Sequence, residues 1–190
     1  MEGIIINSLD FPVLTVTTFL PLAGALLILL IRNDVLIKWI ALVTTVATFI
    51  VSLPIYTHFD KTTYKMQFAE IHPWIPAWNI NYTVGVDGIS VLFIILVTIL
   101  STLCVSVSWK AIQEKTKEFF ISLLIMETAM IGVFVSLNIF LFYLFWELTL
   151  IPMFLLIGIW GGSNRIYATI KFVLFTLAGS VLMLVGIIVL

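Results

Sequence analysis

The chain has 190 residues, of which 62% are apolar and only 10% carry a charged side chain. Soluble domains average about half apolar and about a quarter charged residues, so this composition indicates a membrane protein. The net charge of -1 gives no basic surface for binding a nucleic acid. The single cysteine, Cys104, cannot form an internal disulfide and is too few for an iron–sulfur cluster or a cysteine-ligated zinc site.

Six apolar segments are each long enough to cross a bilayer. A hydrocarbon core of about 30 Å needs about 20 residues of helix. The stretch 119–160 must contain two spans, because a single helix of that length would extend about 63 Å at 1.5 Å per residue. Asn138 is the predicted turn between them. The predicted spans are Phe11–Ile31, Val35–Tyr56, Ile89–Trp109, Phe119–Leu137, Ile139–Trp160 and Tyr167–Leu190.

The basic residues are distributed unequally between the two ends of these spans. Only Lys61 and Lys65 fall at one end, and seven basic residues fall at or near the other. The positive-inside rule therefore predicts that the more basic side is cytoplasmic, or its equivalent, and that both termini face outward. Lys38 is interpreted as an anchor that extends to the membrane interface. The seven are Arg32, Lys38, Lys110, Lys115, Lys117, Arg165 and Lys171.

The connection between the second and third spans, residues 57–88, shows a different pattern. Apolar and polar residues alternate from Tyr64 to Ala69 and again from Trp78 to Asp87, which indicates two β-strands. The intervening segment His72–Pro76 contains two prolines and is predicted to form the turn of a small β-hairpin in the outer loop. Its histidine is assigned a structural role. Asp87 is expected to cap the third span, with its carboxylate beside the free N–H groups of the helix start.

Two glutamates lie far inside the fourth and fifth spans. Glu127 and Glu147 each lie eight residues into a span, and the two helices run in opposite directions. Both carboxyl groups are therefore expected in the middle third of the bilayer, about 6 Å apart in depth. A charge near the bilayer centre costs at least about 2.5–3.5 kcal/mol on insertion scales, so such residues indicate function. Burial disfavours a carboxylate anion and a nearby cation favours it, and a group between these influences can relay protons near neutral pH.

Three other residues of the fifth and sixth spans are expected to influence this pair of glutamates. Lys171 enters the sixth span by four residues, and its side chain either reaches inward or returns to the interface. Small residues on its helical stripe are typical of helix contacts, so we expect it to face protein. Pro152 is predicted to bend the fifth helix one turn beyond Glu147. Tyr143 precedes Glu147 by one turn and is placed to donate a hydrogen bond to it.

Three segments resemble a known family. FYLFWELTLIPMFLLIGIWGG at 142–162, followed by RIYATIKFVLFTLAGS at 165–180, is similar to the chain M (chain 4) family of proton-translocating NADH:quinone oxidoreductase, respiratory complex I. GVDGISVLF at 85–93 resembles the same family at the start of its third helix. The resemblance extends over essentially the whole chain. It implies an all-α polytopic membrane protein whose six transmembrane helices are part of a fourteen-helix antiporter-like fold.

The resemblance also implies roles for particular residues. In that family the glutamate of the W-E-x-x-x-x-P segment, here Glu147, is an essential proton-channel residue, and Glu127 is a candidate secondary relay. Residues 1–118 are expected to form an N-terminal three-helix segment, and 119–190 the first half of the first proton-translocating repeat. The family pairs its helix-five glutamate with a lysine on a broken seventh helix, a position this sequence lacks. We therefore expect the chain to be the N-terminal part of such a subunit.

The expected function is to couple electron transfer to proton translocation. The sequence has no G-x-G-x-x-G loop or cysteine cluster, so NAD, FMN, iron–sulfur clusters and quinone are expected on other subunits. The expected partners are other membrane-arm subunits and the lipid bilayer of a bacterial or mitochondrial inner membrane. One alternative is a subunit of a multi-subunit cation/proton antiporter. Another is a structural or assembly subunit without ion transport, for which the small-residue stripe Thr128, Gly132 and Ser136 is typical.

Overall fold

Six long helices form most of the protein. A computed structural model describes residues 4–6, 11–75 and 80–189. Each helix is long and apolar enough to cross a membrane, so the six predicted spans are confirmed with ends shifted by a few residues. The helices are α1 (Val13–Leu30), α2 (Asp34–Thr57), α3 (Gly88–Ala111), α4 (Thr116–Val135), α5 (Ile139–Trp160) and α6 (Arg165–Val189).

A small sheet lies at one end of the helices, which we call the sheet face; the other end is the basic face. Strand β2 (Met66–Ile75) pairs antiparallel with β3 (Ile80–Val86), which confirms the predicted hairpin. A third strand, β1 (Ile4–Ile6), pairs parallel with β2 and was not predicted. The strand order is β1-β2-β3. The sheet contacts the start of α1 and the turn between α4 and α5.

The predicted position of the hairpin turn is wrong. His72 and Pro73 belong to β2 and pair with β3. The two strands are joined by residues 76–79, which lie outside the described residues. Trp78, which was expected to belong to the second strand, is one of these residues. Proline is tolerated in a strand where the ladder is already irregular, and the register shifts between Pro73 and Ile75. A second irregularity surrounds Phe68, whose φ of 53° lies in the left-handed region. There the alternation of buried and exposed residues breaks down.

Helix α4 lies at the centre of the bundle and packs against α1, α2, α3 and α5. Two hydrophobic clusters fill the space around it. The cluster near the sheet face includes Leu14, Ile94 and Ile131, and the cluster near the basic face includes Ile28 and Phe120. Helix α6, by contrast, packs against α5 at the edge of the bundle and buries few of its side chains.

A layer of buried hydroxyl side chains separates the two clusters. Most of them donate to a carbonyl of their own helix, as Thr48 does to Thr44 at 2.9 Å. Ser52 and Thr98 also contact each other between α2 and α3, with their oxygens 3.3 Å apart. These donors are therefore satisfied by the backbone of their own helices. The layer consists of Thr17, Thr18, Thr44, Thr45, Thr48, Ser52 and Thr98.

At the sheet face, acceptor side chains cap the starts of three helices. Asn138 begins α5 and accepts from the Phe140 N–H at 2.8 Å, which confirms the predicted turn. Asp87 accepts from the Ser90 N–H at 2.7 Å and caps α3, as predicted. This hydrogen bond lowers the pKa of Asp87, so the carboxylate is charged beside the positive end of the helix dipole.

The start of α1 is capped from the sheet rather than from its own segment. Glu70 in β2 is buried, and its two carboxylate oxygens accept from the N–H groups of Leu14 at 2.9 Å and Thr15 at 3.1 Å. The Thr15 hydroxyl also donates to Glu70 and lies 3.0 Å from the Tyr82 hydroxyl. Burial raises the pKa of Tyr82, which keeps this hydroxyl neutral. The carboxylate thus joins two segments 56 residues apart.

At the basic face, cations bind carbonyls at the ends of three helices. This places positive charge at the negative end of each helix dipole. Lys38, which is predicted to be an anchor that extends to the membrane interface, is buried here and donates to a backbone carbonyl. The contacts are Lys117 to Leu29 and Ile31 at 2.6 and 3.0 Å, Lys38 to Trp109 at 2.7 Å, and Arg165 to Ile159 at 2.6 Å.

Gly132 sets the close approach of α4 and α5. A Cβ atom at this position would overlap the ring of Phe145, which is buried against it. Gly132, one residue of the small-residue stripe predicted on α4, therefore does pack closely against a neighbouring helix. Gly186 on α6 is different, because a Cβ atom there would meet nothing within 4 Å.

Replacing Gly132 with valine should destabilise the α4–α5 contact by about 1–3 kcal/mol, the usual cost of overpacking a filled core. The measurement is the free energy of unfolding in mixed detergent micelles. Gly186→Val is the matched control and should not lower the unfolding free energy, because a Cβ atom at Gly186 meets nothing within 4 Å and valine is a better helix former than glycine. An unchanged stability of Gly132→Val would contradict the close packing described here.

Replacing Glu70 with alanine should cost about 1–3 kcal/mol, because two buried N–H groups of α1 lose their acceptor. Glu70→Gln keeps one acceptor oxygen and should cost less. The same unfolding measurement applies, with the exposed Glu114→Ala as the control for loss of a carboxylate. Equal stability of Glu70→Ala and Glu114→Ala would show that the cap contributes nothing.

Candidate functional site

The two predicted glutamates lie at the same level of the membrane. Glu127 is eight residues before the end of α4, and Glu147 is eight residues after the start of α5. At 1.5 Å per residue, each is about 12 Å from the turn that joins the helices. Because an average hydrocarbon core is about 30 Å thick, both lie near its middle. The offset of about 6 Å expected from the predicted spans therefore disappears.

Glu127 faces the interior of the bundle formed by α1 to α4. It shares a stripe with Leu124 and Ile131, and its side chain is 1% exposed. It lies between the two hydrophobic clusters, at the level of the buried hydroxyl layer. Within the part of the chain that the structure describes, neither of its carboxyl oxygens has a hydrogen-bond partner. The neighbouring Thr128 hydroxyl is also buried without a partner there.

Glu147 has different surroundings, because it lines an open cleft between α5 and α6. The cleft has a volume of about 540 Å³, and its other walls include Leu144 of α5 and Val173 and Leu177 of α6. The Glu147 side chain is half-buried, and its Oε1 atom has no hydrogen-bond partner among the described residues. Glu147 is therefore the carboxyl group that can be reached from outside the bundle.

Tyr143 and Ser180 lie beside Glu147. The Tyr143 hydroxyl neighbours both the Glu147 carboxyl group and the hydroxyl of Ser180, one of the few buried residues of α6. The proximity of Tyr143 agrees with its predicted position one turn before Glu147. The approach of Ser180 could not be read from the sequence, since it depends on how α6 packs against α5. Helix α5 continues through Pro152 as a single element.

The two carboxyl groups share a level but not a hydrogen bond. Both oxygens of Glu127 lack a partner among the described residues, which excludes a direct bond from it to Glu147. Glu127 points into the α1–α4 interior and Glu147 into the α5–α6 cleft. The arrangement therefore places two carboxyl groups at one level, one inside the bundle and one at an open cleft. An unpartnered anion at this depth costs at least about 2.5–3.5 kcal/mol, a cost that applies most directly to Glu127, whose two oxygens both lack a partner there.

Lys171 is not brought to either carboxyl group. It is exposed, its ammonium lies 5.9 Å from the centre of the Tyr167 ring, and it lines a different groove from Glu147. Phe175, on the same stripe, is 81% exposed. Within the described chain α6 packs against α5 through another face, so the expectation that this lysine faces protein stays a prediction.

Among the described residues, no group of three or more His, Cys, Asp and Glu side chains is placed to hold a metal ion. His72, which was assigned a structural role, stacks on Tyr82 of β3 with ring centres 6.4 Å apart.

Comparisons with known proteins connect this geometry to a family. Residues 136–190, which contain α5 and Glu147, match the family described as NADH:quinone oxidoreductase/Mrp antiporter, TM. NADH-quinone oxidoreductase subunit M of Rhodobacter capsulatus is 49% identical over 179 residues, which are 91% of this chain and 34% of the relative. Residues 136–190 therefore belong to this antiporter-like family. The chain spans about a third of the length of the curated relatives it matches.

Solved structures of this antiporter-like family share the same architecture. A chain of respiratory complex I from Thermus thermophilus with bound NADH superposes with a TM-score of 0.78 at 27% identity, over 92% of this chain and 35% of that one. The Mrp complex from Dietzia sp. DQ12-45-1b gives a TM-score of 0.71 at 17% identity, over 91% of this chain and 18% of that one, which shows the fold alone. The six helices are therefore part of an antiporter-like fold.

Proposed function

We propose that the chain is part of a membrane-arm subunit of NADH:quinone oxidoreductase, in which it couples electron transfer from NADH to quinone with proton translocation. The observation that carries the proposal is the pair of carboxyl groups at one level, about 12 Å inside two adjacent helices. The names of the relatives agree with this assignment. The redox cofactors NAD, FMN and iron–sulfur clusters, and the quinone, are assigned to other subunits.

In this proposal Glu147 is the principal proton-binding residue. Its carboxyl group opens to the α5–α6 cleft, where water and cationic groups of the remaining subunit can approach it. A cation that moves towards Glu147 favours the anion and releases its proton, and a cation that moves away favours protonation. Such a movement, driven by a distant redox event, turns the carboxyl group into a step of proton translocation.

Glu127 is proposed as a secondary relay. Its full burial and its position at the level of Glu147 support a role as a proton reservoir beside the main path. Lys171 is the available basic group of α6 and is proposed to serve the path from the basic face, where its exposed ammonium is free to approach other chains. Residues 119–190 would then contribute the first half of a proton-translocating repeat.

The proposed location is an energy-coupling membrane, either a bacterial inner membrane or a mitochondrial one. The excess of basic residues supports a cytoplasmic or matrix position for the basic face and an outward position for both ends of the chain. Other membrane-arm subunits are the proposed partners. The exposed apolar surface of α6 supports further packing partners on that side.

Glu147→Gln, introduced into the full-length subunit within the assembled complex, should slow coupled proton pumping by at least about tenfold, because a positioned proton-transfer group contributes about 10²–10⁴-fold. Glu147→Asp keeps the carboxyl group and should retain part of the rate. Pumping is measured in proteoliposomes with a pH-sensitive dye during NADH oxidation. The exposed Glu114→Gln is the matched control and should pump normally.

Full pumping by Glu147→Gln would remove the basis of the assignment and favour a purely structural subunit. Pumping that depends on a specific metal cation, without NADH oxidation, would favour the alternative of a cation/proton antiporter subunit. The family description, which names Mrp antiporters together with the oxidoreductase, makes this second outcome worth measuring.

Glu127→Gln should have a milder effect than Glu147→Gln in the same assay, within about tenfold of the normal rate, because Glu127 lies beside the proposed path and not in the open cleft. Its amide keeps the size of the side chain, so packing around α4 should be preserved. A loss of pumping as severe as that of Glu147→Gln would place Glu127 on the main path.

A further inference from the structure

A pocket of about 440 Å³ lies at the sheet face between the end of α2, the following loop and the start of α3. It is separate from the glutamates and from the α5–α6 cleft. Two lysines line it, Lys61 and Lys65, and these are the two basic residues that the sequence places at this end of the spans. All the positive side-chain charge predicted for this face thus converges on one pocket.

The loop that carries the lysines is held in a defined conformation. The Asp60 N–H donates to the Gln67 side chain at 2.9 Å, and the Gln67 amide donates back to the Asp60 carbonyl at 2.7 Å. Thr62 donates its N–H and hydroxyl to the Asp60 carboxylate at 2.8 and 2.6 Å. The Lys65 N–H donates to Thr63 at 3.2 Å. Both lysines are therefore attached to a prearranged backbone, and binding there needs little ordering.

The carboxylates near the pocket are already engaged. Hydrogen bonds from Thr62 lower the pKa of Asp60, and the bond from Ser90 lowers the pKa of Asp87, which lines the pocket. Both are therefore anionic at neutral pH and are directed towards N–H groups of their own segments. With Asp87 counted against the two lysines, the lining retains one net positive charge.

The pocket also extends to the part of the protein that meets lipid. Val91 and Leu92 in the first turns of α3 form one wall, and Leu92 is 59% exposed. Phe59 packs beside Gly88 at the helix start, where a Cβ atom would lie 3.8 Å from its ring. Tyr56 lies under the Lys61 ammonium, 5.7 Å from the ring centre. Lysines above aromatic and aliphatic side chains at a helix end form the arrangement expected at a bilayer interface.

We propose that this pocket binds the headgroup of an anionic membrane phospholipid, with its phosphate at Lys61 and Lys65 and an acyl chain along Leu92. The ligand chemistry follows from the charge: a phosphate diester complements the ammonium groups, and the adjoining apolar wall favours a phosphate that carries hydrocarbon. Basic pockets between transmembrane helices on the cytoplasmic or matrix side bind anionic headgroups through this chemistry, and the pocket described here offers the same chemistry at the sheet face.

The test uses the full-length subunit in its assembled complex, in phosphatidylcholine nanodiscs that contain a minor fraction of photoactivatable phosphatidylglycerol. After illumination, labelled peptides are mapped by mass spectrometry. Wild type should be labelled around Phe59 and Leu92, and unlabelled phosphatidylglycerol should compete. Lys61→Ala/Lys65→Ala should lower this labelling by about tenfold or more, since each basic side chain contributes about 1 kcal/mol near an anionic lipid.

Lys110→Ala/Lys115→Ala removes the same charge from the basic face and should leave labelling at the pocket unchanged. Lys61→Arg/Lys65→Arg keeps both charges and should retain it. The single variant Lys65→Ala, which preserves the contact between Lys61 and Tyr56, gives an intermediate loss if the double variant does not assemble. Thermal unfolding of each variant verifies the fold.

Three results would overturn the proposal. Equal competition by phosphatidylcholine would show that the pocket does not recognise an anionic headgroup. Equal competition by inorganic phosphate would assign a small-anion site without a lipid. No labelling in the wild-type complex would show that another subunit covers the pocket.

Discussion

A hydrocarbon medium offers no hydrogen bonds, so every polar group of this chain must find a partner within the protein, reach an interface or hold a proton. This constraint explains where the few charges lie. At the sheet face, Glu70 and Asp87 accept from the free N–H groups of helix starts. At the basic face, Lys38, Lys117 and Arg165 donate to helix ends. Each arrangement also matches the helix dipole.

The two membrane glutamates are the exceptions to this arrangement, and that is why they are assigned a function. Glu127 and Glu147 are neither caps nor surface groups, and carboxyl oxygens of both lack a partner among the described residues. The rest of the bundle isolates them from each other. Gly132 and Phe145 are in close contact between α4 and α5, and most hydroxyls of the buried layer donate to carbonyls of their own helices. At one depth, Glu147 therefore lines the α5–α6 cleft, whereas Glu127 is buried away from it.

The sequence predicted the features that depend on local pattern and on bilayer thickness. The six spans, the turn at Asn138 and the cap at Asp87 follow from apolar run length and from side-chain chemistry at helix ends. The features that it missed depend on contacts between distant segments. Strand β1 and the cap from Glu70 exist only because the loop folds back on the start of α1. The exposure of Lys171 depends on which face of α6 meets α5, and small residues on a stripe did not identify that face.

The cap at Glu70 has a consequence for how the chain acquires its orientation during synthesis. The carboxylate reaches Leu14 only when the start of α1 and the loop after α2 are on the same side of the membrane. An α1 inserted in the opposite direction would present its carbonyl end to the sheet, and Glu70 would face oxygen atoms of like charge. The bond therefore distinguishes the native direction of α1 relative to the loop from the inverted one, whichever side of the membrane the loop occupies. The folded protein thus contains a contact that depends on the direction of α1, in addition to the distribution of basic residues.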